Sequence, residues 1–88
     1  MYEEYISKVE RLCGPGNDYL IVVKYEVRDK LVNSLLDRAE KIEFSSNLMW
    51  RIIFDGKRMN IFRTGKIIIK SISDDELSSL LDKIFSKL

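Results

Sequence analysis

The chain has 88 residues, 45% of them hydrophobic and 33% charged, with a formal net charge of +1. That is one small domain of ordinary globular composition, able to bury only about 60–65% of its chain surface. No apolar run reaches the ~18 residues of a membrane-spanning helix. Met1-Tyr2-Glu3-Glu4 lacks the basic start of a signal peptide, and the lone Cys13 has no internal disulfide partner, so a cytoplasmic setting with no membrane contact is expected.

Residues 2–12 (YEEYISKVERL) place Tyr2, Tyr5, Ile6, Val9 and Leu12 at helical spacing, which predicts a short amphipathic helix. The Gly-Pro-Gly cluster of residues 13–18 predicts a loop, and no phosphate-loop GK[ST] follows it. Residues 1–14 are thus read as an N-terminal helix and loop, and 18–88 as the folded repeat. Alternation over residues 19–27 (YLIVVKYEV) predicts a strand, with Tyr19, Ile21, Val23, Tyr25 and Val27 on one face. Residues 28–39 read as a helix with Leu31, Val32, Leu35, Leu36 and Ala39 inward. Four strands follow, at 41–45, 48–54, 58–63 and 66–72. Asp55-Gly56 and Thr64-Gly65 mark tight turns, which make the strands they join antiparallel. Ser73-Asp74-Asp75-Glu76 is a capping-box pattern that opens a helix over 74–88. Its core stripe is Leu77, Leu80, Leu81, Ile84, Phe85 and Leu88, with Lys83 and Lys87 toward the negative end of the helix dipole.

The expected fold is therefore α+β, in the order α-β-α-β-β-β-β-α, with the two longer helices on one face of an antiparallel sheet. Alternation turns Tyr19, Ile21, Val23, Leu48, Trp50, Ile52, Met59, Ile61, Ile67 and Ile69 toward the helices. The opposite face then carries apolar Leu20, Val22, Met49, Ile53, Phe62 and Ile68 among Lys24, Arg51, Asn60, Lys66 and Lys70. A solvated sheet face would be mostly polar. An apolar patch rimmed by cations is the composition of a binding surface, and apolar wedges beside Lys and Arg suit the DNA minor groove. Cover by the N-terminal helix or by a second copy of the chain would also account for it. Residues 41–72 add a charge bias, with seven basic residues against two acidic ones.

The stretch from Leu48 to Leu88 resembles the second part of one repeat of the TATA-binding protein. The matching residues are Arg51-Ile52, Ile61-Phe62, Thr64-Gly65-Lys66, Ile67-Ile68 and the helix opening at Ser73. Extended back through the strand and helix of 19–39, the resemblance covers about 70 residues and leaves residues 2–12 outside. It implies a half-saddle with a curved sheet, completed by a homodimer or a heteromeric protein partner. It also implies that Phe62 is a DNA-kinking ring, that Arg51 and Lys66 lie near the DNA backbone, and that Val22 and Ile68 enter the groove. Lys24, Met49 and Lys70 join this nucleic-acid-binding set from the face alternation. The family's second kinking phenylalanine falls near Ser45, with Phe44 one position away and so on the other face of a regular strand. The family's groove asparagine on the first strand falls near Leu20.

No catalytic constellation is present. The chain has no histidine, which removes the commonest general base and metal ligand. Cys13 has no base to activate it, and the acids at 74–76 serve helix capping. No metal or cofactor is expected. The sequence reads as a small non-catalytic protein that binds nucleic acid, duplex DNA first, as a homodimer. The alternative is an accessory subunit of a DNA/RNA-processing or transcription complex that grips protein through its apolar sheet face or an edge strand.

Overall fold

A computed structural model of the chain describes residues 2–86 and Leu88. Met1 and Lys87, the second expected near the end of the last helix, lie outside the described residues. A single 3-10 turn (Tyr2–Tyr5) leads into β1 (Ile6–Arg11) and β2 (Tyr19–Val23). A second 3-10 turn (Tyr25–Val27) leads into α1 (Arg28–Arg38). Then come β3 (Lys41–Ser45), β4 (Met49–Phe54), β5 (Lys57–Phe62), β6 (Lys66–Ile69) and α2 (Asp74–Phe85). The strands form one antiparallel sheet in the order β1-β2-β6-β5-β4-β3, an α+β architecture. Among the described residues no helix is long and apolar enough to cross a membrane.

The core lies on one face of this sheet. Ile21, Ile52, Met59, Ile61, Ile67 and Ile69 are fully buried there, against Leu31 and Leu35 of α1 and Leu80, Leu81 and Ile84 of α2. Burial of each such side chain contributes about 1.5–3 kcal/mol. Arg38 joins the two helices: its Nη1 donates to the Lys83 carbonyl at 2.9 Å and its Nη2 to the Ile84 carbonyl at 2.6 Å. That places a cation on free carbonyls at the negative end of α2. At the other end of α2, Ser73 Oγ accepts from the Glu76 amide and Glu76 Oε1 accepts from the Ser73 amide, both at 3.2 Å, completing the capping box. Asp55 and Gly56, with φ of 52° and 75°, form the left-handed pair that a two-residue hairpin turn requires.

The expected N-terminal helix is a strand. Ile6 lies opposite Val23 and Val9 opposite Ile21, with a register shift between Ile6 and Lys8. The shift absorbs one residue, so side chains three apart land on the same sheet face. A bulged strand thereby imitates the spacing of a helix. The outer edge of β2 explains the outcome: its backbone groups would be left without partners, and β1 supplies them.

Other expectations change too: the strand predicted over 66–72 ends at Ile69, and the helix predicted over 74–88 ends at Phe85. The strand predicted over 19–27 stops at Val23, because Val22 already lies opposite Lys66, where β6 begins. Beyond it Tyr25 is 72% exposed, with the Arg28 guanidinium 3.9 Å from its ring centre, rather than inward. Leu48, also predicted inward, is exposed because it precedes β4 in a turn held by Ser46, whose Oγ accepts from the amides of Leu48 and Met49.

Candidate functional site

The face of the sheet away from the helices is crossed by three lateral rows, read from the strand pairing. The first runs Lys8, Val22, Lys66, followed across the turn by Phe62 and its partner Met49. The second runs Glu10, Leu20, Ile68, Asn60, Arg51 and Phe44. The third holds Lys70, whose amide donates to the Arg58 carbonyl at 3.0 Å, then Arg58, Ile53 and Lys41. Leu20, Val22, Met49, Ile53, Phe62 and Ile68 are half-buried and keep contact with solvent.

No described element lies over this face. Both helices are on the other side, and so is the N-terminal turn, whose Tyr2 and Tyr5 stack on Phe85 of α2 at 6.4 and 5.6 Å between ring centres. Cover by the N-terminal segment, one of the explanations the sequence left open, is thereby removed.

The cations differ in how tightly they are held. Arg58 is bound to Glu43 through two parallel bonds, Nε to Oε1 at 2.8 Å and Nη2 to Oε2 at 3.2 Å. The hydrogen bond from Arg58 is the main cause holding the Glu43 carboxyl below its ordinary value, and it raises the guanidinium in return. Lys70 Nζ lies 3.5 Å from Asp18 Oδ2, and Lys8 Nζ lies 2.7 Å from Glu10 Oε2. Arg51 donates to a neutral partner, Asn60 Oδ1 at 3.2 Å, forms no ion pair among the described residues, and acts on Glu43 only through its charge. Lys24, Lys41 and Lys66 are exposed and have no ion pair among the described residues. A shallow depression lined by Glu43, Arg51, Arg58, Asn60 and Lys70 gathers three cations around one carboxylate.

Of the residues predicted to bind, Val22, Met49, Arg51, Phe62, Lys66 and Ile68 share this face, and Lys70 stands just past the end of β6 beside Arg58. Lys24 lies one residue beyond β2 and is not part of the ladder. Five members of the face went unrecognised: Lys8 and Glu10, whose strand was read as a helix, and Lys41, Arg58 and Phe44. Arg58 follows from simple alternation, since Met59 points inward. Phe44 does not, because a register shift between Ile42 and Phe44 brings it opposite Arg51 and onto the open face, 47% exposed. Cys13 is exposed in the loop between β1 and β2, and no group of three or more His, Cys, Asp and Glu among the described residues is gathered to hold a metal ion.

No protein-family model matches the sequence, and no curated protein or solved structure is significantly similar to it.

Proposed function

We propose that this protein is a non-catalytic nucleic-acid binder that uses the open sheet face, with duplex DNA as its ligand and two copies forming the working unit. One observation carries the reading: half-buried Val22, Phe62 and Ile68 stand among Arg51 and Lys66, cations with no ion pair among the described residues, on a face that no described element covers. Cations of this kind hold phosphates, and apolar side chains between them contact the minor groove or unstacked bases. The TATA-binding-protein-like half-saddle belongs to the same proposal. Its support is the run from Tyr19 onward: a strand, a helix, four antiparallel strands and a helix.

The test is fluorescence anisotropy with AT-rich duplex, GC-rich duplex and single-stranded DNA at two salt concentrations. Salt-sensitive binding that favours the AT-rich duplex is expected. Phe62→Ala should weaken it by about 1–3 kcal/mol if the ring stacks on or between bases. Absence of binding to every probe at low salt overturns the proposal.

The second reading is a protein-interaction subunit, and a different observation favours it. Ile42, Phe44 and Leu48 are 48%, 47% and 72% exposed and cluster around β3 and the turn that follows it. In that reading the DNA titrations are flat, and a co-purifying protein is lost on Phe44→Ser while the fold is kept.

A further inference from the structure

The sheet has two free edges, β1 and β3. An unpaired edge is a template for another strand, and natural edges are usually interrupted by charges or bulges. On β3 the register shift falls in the middle of the strand, between Ile42 and Phe44, and splits its ladder. On β1 the shift falls at the start, between Ile6 and Lys8, leaving Lys8–Arg11 regular. The β1 edge is thus the one able to continue the sheet.

The backbone groups of β1 alternate in direction along the strand. Leu12 donates to the Asp18 carbonyl at 3.0 Å, so bonding to β2 alternates back from Leu12 through Glu10 and Lys8. Val23 donates to the Gly65 carbonyl at 2.9 Å, consistent with the other set of β2 groups serving the β6 side. The N–H and C=O of Val9 and Arg11 therefore point away from the sheet. Side chains alternate as well: Lys8 and Glu10 are on the open face, and Val9, 46% exposed, is on the helix side.

We propose that two copies of this chain pair antiparallel through β1, with Val9 opposite the partner's Val9. The outward groups allow a two-fold register centred on Lys8, on Val9, on Glu10 or on Arg11, and the last sets two guanidinium groups opposite each other. Centring on Lys8 sets two ammonium groups opposite each other, and centring on Glu10 sets two carboxylates opposite, both destabilising. Centring on Val9 sets Lys8 against the partner's Glu10 and Glu10 against the partner's Lys8. These fall at the close, non-hydrogen-bonded positions of the ladder, where side chains interact most. Lys8 and Glu10 already contact within one chain at 2.7 Å, so the pairing gathers four charges of alternating sign. The two-fold axis stands perpendicular to the sheet. Both open faces therefore point the same way, and the six strands become twelve. This gives the two-copy unit of the proposed function a surface and a register, and its geometry stands whether or not the ligand is nucleic acid.

The experiment is sedimentation equilibrium of the chain alone, from micromolar to millimolar, with circular dichroism and thermal melts to confirm the fold. Wild type should show reversible dimerisation. Glu10→Lys and Lys8→Glu should each weaken it about tenfold, because both cross-strand pairs turn repulsive. An equimolar mixture of these two variants should recover dimers, since each supplies the charge the other needs. Val9→Pro removes only an outward N–H, as edge strands tolerate, and should give a folded monomer. A wild type that stays monomeric at millimolar concentration overturns the proposal. So does a dimer unmoved by Val9→Pro, or a mixture that fails to recover. Anisotropy on Val9→Pro keeps the two questions apart: its open face is unaltered, so DNA binding by the monomer survives a failed dimer, and a dimer survives a failed DNA titration.

Discussion

Replacing Glu43 by Gln tests how the open face stores its charge. Glu43 holds the Arg58 guanidinium through bonds of 2.8 and 3.2 Å, beside Arg51 and Lys70 in one depression. On the open face and at the end of β2, Lys24, Lys41, Arg51 and Lys66 form no ion pair among the described residues. Each phosphate neutralised on duplex DNA steepens the dependence of log K on log salt by about 0.9. If all four engage, the slope is about −3.6, a loss of roughly 150-fold in affinity between about 50 and about 200 mM salt. Glu43→Gln removes the carboxylate and releases Arg58 as a fifth cation, so the slope should steepen to about −4.5 and low-salt affinity should rise. Arg51→Gln should move it the other way, to about −2.7. The exposed pair contributes little to folding, so thermal stability should hardly change. The assay is anisotropy of a labelled AT-rich duplex across a salt series, with a melt of each variant. An unchanged or flatter slope in Glu43→Gln would mean that no phosphate reaches this depression and that the open face is not the nucleic-acid surface.

Two predictions concern the frame that holds the face. Gly65 has φ of +98°, and an added Cβ would lie 3.1 Å from Val23 Cγ2 and 3.3 Å from Arg28 Cβ, so Gly65→Ala should cost about 1–3 kcal/mol. Urea unfolding measures this, and an unmoved midpoint would show that the turn between β5 and β6 relaxes freely. The carboxyl of Glu76 lies below its ordinary value of 4.5, chiefly through the Ser73 amide and then Lys57; that of Glu43 is lowered by Arg58. A depressed folded-state pKa contributes stability above the unfolded value, and that contribution is lost as pH falls through the folded one. Stability should therefore decline on acidification below 4.5. With no histidine, it should stay level between about pH 5 and about pH 8. Glu76→Gln should flatten the acid limb of a melting-temperature profile, and a limb unchanged in that variant would refute the assignment.

The parts of the fold legible in the sequence are those set by one element's own period. The stripe Leu77, Leu80, Leu81, Ile84, Phe85 is buried as its spacing requires, and so are the inward residues of β4, β5 and β6. What was illegible depends on a neighbour. Whether residues 6–11 coil or extend is decided by the open edge of β2, and a register shift hides the alternation that would have revealed the strand. Where β2 ends is decided by where β6 begins. The same holds on the open face. Phe44 reaches it only because β3 slips one residue against β4, and the restraint on Arg58 comes from Glu43, fifteen positions away in sequence.

Lysines flank the isoleucine run of β6 at both ends, Lys66 before Ile67 and Lys70 after Ile69. β6 is an inner strand between β2 and β5, with Ile67 and Ile69 fully buried toward the helices. Lys66 and Lys70 flank half-buried Ile68 on the other side. An apolar lid over Ile68 would have to desolvate both ammonium groups, which costs several kcal/mol for each charge left unpaired. Whatever covers this face must therefore bring negative charge or leave the lysine heads in water. Lys70 already has Asp18 at 3.5 Å, but Lys66 has no ion pair among the described residues, and it borders the turn that follows Phe62. The end of the face where an incoming anion meets least competition is thus also the end where an aromatic ring is ready to stack. On the proposed reading, a polyanion with flat, stackable bases would use both at once.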